Sequence, residues 1–255
     1  MPYETSDLEK YFRTNDKRLI FKWTHYFEIY ERYFSKYRNT EVVILEIGVF
    51  HGGSLQMWKD YFGPKVKIYG IDINPQCKEL EEKNIEIFIG SQSDKKFLQE
   101  VKSKIPKVDI LIDDGGHRMQ QQIVSFEELF DVVKDDGIYL CEDTHTSYWM
   151  EYGGGYKRRG SFIEYSKNFV DYLHAFHSRQ NGLQPNSFTK AVKSVHFYDS
   201  IVVLEKGKRE APIEEKTGIP SYEHEEEQIS LIERAKRSIF KTINSIFYWL
   251  RLPWR

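Results

Sequence analysis

The sequence predicts an α/β protein built on a doubly wound, mostly parallel sheet of seven strands. From residue 42 onward, short β-branched runs alternate with longer stretches whose apolar residues recur at helical spacing. The first five runs are VVILEIG (42–48), VKIYGID (66–72), IEIFIG (85–90), VDILID (108–113) and GIYLCED (137–143). This alternation is typical of βα units, in which each strand lies parallel to the one before it.

The segments between these runs are expected to be helices, and the sheet is expected to end in an antiparallel hairpin. The helical segments are SLQMWKDYF, PQCKELEEK, DKKFLQEVKSK and QQQIVSFEELFDVV. The last two β-rich runs, KSVHFYD (193–199) and SIVVLEK (200–206), are too close together for a crossover helix. A closing hairpin distinguishes this sheet from the all-parallel sheets of dinucleotide-binding domains.

The chain is expected to have four parts. Residues 1–40 are aromatic and charged with helical spacing and predict an N-terminal helical cap, while residues 41–207 form the α/β domain. Residues 208–228 are polar, acidic and contain proline, which indicates a linker. Residues 229–255 predict a basic amphipathic helix with Trp249 and Trp254 near its end. Such a helix suits either an anionic membrane surface or another subunit.

Composition excludes several classes of protein. With 255 residues, 40% of them hydrophobic, the chain is long enough for one sizeable domain, and its net charge of -2 gives no basic field for nucleic acid. Cys77 and Cys141 form neither a C-x-x-C pair nor a disulfide framework, which fits a reducing cytosol. No leader-like N-terminus and no apolar run of about 18 residues is found, so we expect a cytoplasmic protein. The sequence leaves open whether the protein forms a homo-oligomer.

The first βα turn, LEIGVFHGGSL, predicts the cofactor. Its glycines allow close approach of a ligand, but their spacing lacks the G-x-G-x-x-G fingerprint of dinucleotide binding. Glu46 would repel a pyrophosphate and attract an ammonium group, and Asp72 is placed to accept hydrogen bonds from ribose hydroxyls. A nucleoside that carries an amino acid and no phosphate meets both conditions, which indicates S-adenosylmethionine. An ordinary turn with a chance acid is the alternative.

Acidic residues follow two predicted strands at the point where each ends. Asp113 and Asp114 close the fourth run, and Glu142 and Asp143 close the fifth. Carboxylates gathered at that edge of the sheet repel one another unless a cation neutralises them, and all-oxygen ligation suits Mg²⁺. Asp113 is expected to face the cofactor instead. Alternatively, the acids cap the following helices or pair with arginines, namely Arg118, Arg158 and Arg159.

His117, three residues after Asp114, is the candidate general base. A bound cation makes a coordinated hydroxyl easier to deprotonate, and a nearby histidine can then remove the proton. His145 and His51 are the alternatives. The aromatic segment THTSYWMEYGGGYKRRGSF (144–162) suits stacking against a sugar, with residues 153–155 as a mobile lid. A disordered loop without substrate contact is the other interpretation.

Five segments carry a family resemblance: LEIGVFHGGSLQMWKDYF, YGIDI, GSQSD, IDDGGH and GIYLCEDTHTSYW. In this order they resemble class I S-adenosylmethionine-dependent methyltransferases, which implies a Rossmann-like methyltransferase sheet. They are most similar to the metal-dependent sugar O-methyltransferases of macrolide biosynthesis (mycinamicin and macrocin type), with the cephalosporin-hydroxylase-like group as a relative. The resemblance covers about residues 13–160 and implies methylation of a sugar hydroxyl on a glycan, lipid-linked saccharide or glycosylated metabolite.

The resemblance also implies roles for individual residues. The cofactor would be contacted by Glu46, Gly48, Ser54 and Asp72. Its adenine would be flanked by Gln92 and Ser93, and Tyr26 would close over it. The magnesium ligands would be Asp114, Glu142 and Asp143, with His117 as the base.

Two other classes of function fit parts of the pattern. A hydroxylase or metal-dependent hydrolase could share the fold, although an oxygenase usually needs two histidines and one carboxylate, which we could not assemble from the sequence. A non-catalytic module could bind S-adenosylmethionine alone. Such a module would have no need of a metal site beside the cofactor, so the acids and His117 favour an enzyme.

Overall fold

The computed structural model describes residues 5–222 and 230–251. Expectations that fall on residues 1–4, 223–229 and 252–255, Trp254 among them, therefore lie outside the described residues. The chain divides into two compact units, Met1–Pro212 and Ile213–Arg255.

The first unit is built on a seven-stranded sheet with the order β3-β2-β1-β4-β5-β7-β6. The strands are β1 (Val43–Ile47), β2 (Lys67–Asp72), β3 (Ile85–Ile89), β4 (Val108–Asp113), β5 (Val133–Cys141), β6 (Val192–Tyr198) and β7 (Ile201–Lys206). β1 to β5 are parallel, and β7 lies antiparallel to both β5 and β6. The predicted sheet and its closing hairpin are confirmed. Strand order reverses between β1 and β4, which is where doubly wound sheets bind ligands.

Eight α-helices accompany the sheet in the described part of this unit, residues 5–212. They are α1 (Asp7–Thr14), α2 (Tyr26–Phe34), α3 (Gly53–Phe62), α4 (Lys95–Lys104), α5 (Met119–Leu129), α6 (Phe162–Ser166), α7 (Asn168–His174) and α8 (Ser187–Ala191). Successive strand residues point to opposite faces, so Ile44 and Leu45 of β1 belong to two different hydrophobic clusters. Helices cover both clusters, which explains why the strands are apolar throughout rather than alternating.

One predicted helix is wrong. The segment PQCKELEEK forms only a short 3₁₀ helix, Pro75–Leu80. Beyond it the chain turns back at once, because Glu82 forms an isolated antiparallel bridge with Ile85 and the Glu81 carboxylate accepts a hydrogen bond from the Ile87 backbone N–H at 2.7 Å. The turn at residues 81–84 ends the helical segment at Leu80.

The helical expectation for the N-terminal region also fails between α1 and α2. Residues 18–23, here called the strap, are not helical; Ile20 and Lys22 are buried while Leu19, Phe21 and Trp23 are exposed. The strap crosses the start of α3 so closely that a Cβ on Gly53 would lie 2.3 Å from the Leu19 carbonyl oxygen. Glycine at position 53 therefore allows the strap to reach the sheet.

The second unit contains α9 (Leu231–Trp249), which Ser230 caps by accepting a hydrogen bond from the Glu233 backbone N–H. None of the described residues of α9 is buried. Within residues 5–222 and 230–251, no helix is both long and apolar enough to span a membrane.

Candidate active site

The carboxyl ends of the central strands border a cavity of about 870 Å³. Its wall is formed by the loops that follow each of the strands β1 to β5, by the 3₁₀ helix Pro75–Leu80 and by the strap. A cavity of this size at a switch point is typical of a site for a cofactor-sized molecule.

The glycine loop after β1 is held by its neighbours. Gly48 has a φ of +95°, and a Cβ there would lie 2.0 Å from the Asp114 carbonyl oxygen, so only glycine fits. Asp72 accepts hydrogen bonds from the backbone N–H groups of Val49 (2.8 Å), Phe50 (3.0 Å) and Asn74 (2.8 Å). A carboxylate has about four acceptor positions, so about one remains for a ligand hydroxyl.

Of the other residues expected at the cofactor, Gln92 and Ser54 line the cavity, whereas Asp113 and Ser93 do not. The Gln92 amide donates to Asp113 Oδ1 at 3.0 Å and accepts from the Gly116 backbone N–H at 2.7 Å, so it fixes the loop after β4. Asp113 lies behind this amide, and burial raises its pKa to about 7. The Ser93 hydroxyl pairs with that of Ser91, which is the serine that faces the cavity.

Glu46 is fully buried and does not line the main cavity. Its Oε2 accepts a hydrogen bond from the Trp58 indole at 3.0 Å, while its Oε1 has no hydrogen-bond partner in the described parts of the chain. Burial raises the pKa of Glu46 to about 7, although the Lys22 ammonium, 3.9 Å from Oε1, opposes this shift.

The sequence did not predict that a lysine lies among the acids. Lys22 Nζ lies 2.5 Å from Asp114 Oδ2 and 2.8 Å from Glu142 Oε2, and its side chain is only 2% exposed. Burial alone would lower the pKa of Lys22, but the surrounding carboxylates hold it above the ordinary value. The Tyr30 hydroxyl donates to the other oxygen of Glu142 at 2.8 Å. Both oxygens of Glu142 are thus engaged within the protein.

The structure brings two of the predicted acids together with the histidine, but it leaves Glu142 outside the group that can hold a cation. Asp114, His117 and Asp143 each offer a ligand atom, and these atoms lie within 4.8 Å of one another. Two carboxylates and one imidazole are donors that fit a divalent cation. Glu142 lies at the edge of this set, joined to it through Lys22 and Asp114.

His117 and Asp143 lie on turns with unusual backbone geometry. Their φ angles are +54° and +51°, a left-handed conformation that costs energy in residues other than glycine and often marks functional sites. The Thr146 hydroxyl lies 2.9 Å from the His117 carbonyl oxygen and 2.8 Å from that of Asp143, which joins the two turns. His117 Nε2 lies 3.4 Å from Asp143 Oδ2.

Tyr26 and two of the arginines make contacts other than those expected from the sequence. Tyr26 donates to Asp143 Oδ1 at 2.6 Å and lines a smaller cavity of about 110 Å³ beside the acids, not the main one. Arg118 and Arg158 donate to the backbone carbonyls of Glu151 and Gly154, so these two arginines do not pair with the acids. The two histidines named as alternative bases, His51 and His145, line the main cavity, as do His117 and Asp72.

The aromatic segment after β5 is folded against the site. Trp149 lines the cavity and lies edge-to-face with His145, with ring centroids 4.7 Å apart. In the glycine run expected to be a lid, Gly154 and Gly155 donate backbone hydrogen bonds to Trp149 and Ser147. With the exposed Phe21 and Trp23 of the strap, Trp149 gives the cavity an aromatic rim.

The sheet order and the site at its switch point define a class I methyltransferase fold. No family model matches the chain. It is 35% identical over 204 residues to demethylmacrocin O-methyltransferase of Streptomyces fradiae (76% of this chain, 50% of the relative). It is 33% identical over 214 residues to mycinamicin VI 2''-O-methyltransferase of Micromonospora griseorubida (79% and 52%).

The same relationship is found among solved structures. The MycE methyltransferase of the mycinamycin biosynthetic pathway, solved in complex with Mg, SAH and mycinamycin VI, matches with a TM-score of 0.70 and 30% identity, over 92% of this chain and 59% of that one. The chain is thus a homologue of sugar O-methyltransferases, which confirms the resemblance of the five segments. It spans about half the length of the curated relatives it matches.

Proposed function

We propose that this chain is a metal-dependent O-methyltransferase that moves the methyl group of S-adenosylmethionine to a sugar hydroxyl. One observation carries the proposal: the cavity at the switch point shares Asp114, His117 and Asp143 with the group that can hold a cation. The two relatives are named as O-methyltransferases, which supports methyl transfer to a hydroxyl oxygen.

The cofactor would occupy the part of the cavity lined by Gly48, Ser54, Asp72 and Gln92. Glu46, Ser93 and Asp113 would act from behind this wall, by fixing its shape and its charge. Tyr26 would orient Asp143 through their hydrogen bond rather than close over the cofactor. The glycine loop offers no cradle for a pyrophosphate, which favours S-adenosylmethionine over a dinucleotide.

The metal would be held by Asp114 and Asp143. The family resemblance implies Glu142 as the third ligand, which would require one of its oxygens to leave Lys22 or Tyr30. A bound Mg²⁺ would lower the pKa of a substrate hydroxyl and orient it. His117 would take the proton. Its Nε2 faces the Asp143 carboxylate, and its Nδ1 has no hydrogen-bond partner in the described residues. A carboxylate at Nε2 leaves Nδ1 as the nitrogen that can accept a proton.

The acceptor would be a sugar-containing molecule, and the aromatic rim supports this because flat rings stack against sugar faces. The most direct test of the reaction is transfer of labelled methyl from S-adenosylmethionine to a panel of glycosides. Transfer should stop in chelator and return with Mg²⁺. Full transfer in chelator, or none to any glycoside, would contradict the proposal.

We further propose that the protein works in the cytoplasm and that α9 lies on an anionic membrane surface. Its exposed apolar side chains, among them Ile239, Ile243 and Ile246, share the helix with basic residues. Flotation with anionic liposomes should be stronger for the full chain than for a version ending at Pro212. Equal flotation would remove the membrane proposal and leave self-association through α9, which a sedimentation experiment would detect.

A further inference from the structure

We infer that Lys22 is an internal cation that competes with the divalent metal for Asp114 and Glu142. Its ammonium group occupies one oxygen of each carboxylate, at 2.5 and 2.8 Å. The inference rests on the proposed metal site and adds to it a residue outside the set of metal ligands.

Asp114 is the carboxylate that both cations would contact, because it pairs with Lys22 and belongs to the group that can hold a metal ion. Asp114, Glu142 and Glu46 surround one ammonium, and Asp143 adds a fourth carboxylate nearby. Without a cation, the buried carboxylate of Glu142 and the partly buried one of Asp114 would be unpaired, which is costly. Lys22 therefore keeps the site assembled when no metal is bound. When a divalent ion arrives, two positive centres share Asp114 and repel each other.

The position of Lys22 on the strap gives the competition a structural consequence. The buried residues of the strap are Ile20 and Lys22, whereas Phe21 and Trp23 are exposed at the rim of the main cavity. Displacement of the Lys22 ammonium would release one of the two inward anchors. Metal binding would thereby loosen the segment that carries two of the aromatic groups at the entrance.

The first test is calorimetric titration with Mg²⁺ of the wild type and of Lys22→Met, which keeps an unbranched side chain, shorter by one atom, and removes its charge. We expect Mg²⁺ to bind at least tenfold more tightly to the variant. Lys206→Met is the matched control, because Lys206 is also buried but contacts backbone carbonyls at the opposite end of β5. Its Mg²⁺ affinity should equal that of the wild type.

Equal or weaker binding to Lys22→Met would overturn the competition while leaving the metal site intact. No binding to either protein would overturn both the metal site and the competition. Because Lys22→Met could fail to fold, hydrogen exchange of the wild type provides a second measurement. Backbone amides of residues 19–23 should exchange faster when Mg²⁺ is added, and unchanged or slower exchange would contradict the inference.

Discussion

Single side chains decide the chemistry of this site, and His117 is the one with two conceivable roles. Its position within 4.8 Å of ligand atoms of Asp114 and Asp143 makes it either the base or a metal ligand. Its Nδ1 is buried and has no hydrogen-bond partner in the described residues, so one ring nitrogen is free to hold a proton. A ligand and a base differ in what their removal costs, so the two roles can be separated by experiment.

His117→Ala should lower turnover by about 10²–10⁴-fold, the usual contribution of a general base, while affinities for Mg²⁺ and S-adenosylmethionine stay unchanged. Steady-state rates and calorimetry on the same preparation would measure this. His196→Ala is the control, since His196 pairs with Glu205 and does not line the cavity. Loss of Mg²⁺ binding in His117→Ala would make His117 a ligand instead.

Glu46 should make the stability of the fold depend on pH. Burial raises its pKa to about 7, so between about pH 4.5 and 7 the folded chain keeps a proton that the unfolded chain has lost. The free energy of unfolding therefore falls as pH rises through this window and levels off above it. Glu46→Gln should remove a slope of at most about 1.4 kcal/mol per pH unit.

Urea unfolding at pH 5, 6, 7 and 8 would measure the slope. Glu41→Gln should leave it unchanged, because Glu41 is an exposed carboxylate that pairs with Lys65. A Glu46→Gln variant with the slope of the wild type would show that Glu46 is ionised in the folded chain throughout this range.

Among the elements, the strands were predictable from sequence and the strap was not. Local apolar runs in the sequence predict β1 to β5, because both faces of the sheet are covered and the strands are apolar throughout. Lys22, by contrast, meets Asp114 and Glu142 across 92 and 120 positions of chain, and its neighbours Phe21 and Trp23 suggested only a helix. A lone lysine within the apolar run LIFKW was the available signal. The acids were predictable because strand ends share one edge of the sheet.

The strap also reverses the expected effect of a helix substitution. Gly53 is the first residue of α3, and by helix propensity alone Gly53→Ala would stabilise the protein by up to about 1 kcal/mol. The added Cβ would instead lie 2.3 Å from the Leu19 carbonyl oxygen, so we expect destabilisation of about 1–3 kcal/mol.

Thermal or urea unfolding of Gly53→Ala and of the wild type shows directly whether the substitution raises or lowers the free energy of unfolding. Gly182→Ala is the control, because a Cβ at Gly182 meets no atom of the described chain within 4 Å. A stabilised Gly53→Ala protein would mean that the strap does not press on α3.

In the molecule as a whole, three features converge on one place. The strand order reverses between β1 and β4, the glycine loop and Asp72 form one side of the cavity there, and the acids with His117 form another. The proposed cofactor site and the proposed cation site share one cavity, which suits transfer of a group between two bound molecules. The choice of cofactor is therefore the central claim.

The most direct measurement is calorimetric titration of the full chain with S-adenosylmethionine and, separately, with NAD⁺, each with and without Mg²⁺. We expect S-adenosylmethionine to bind with a stoichiometry of about one per chain and NAD⁺ to give no binding heat, because the glycine loop lacks the dinucleotide fingerprint. Binding of NAD⁺ as tight as that of S-adenosylmethionine, or no binding of S-adenosylmethionine under either condition, would contradict the proposed function.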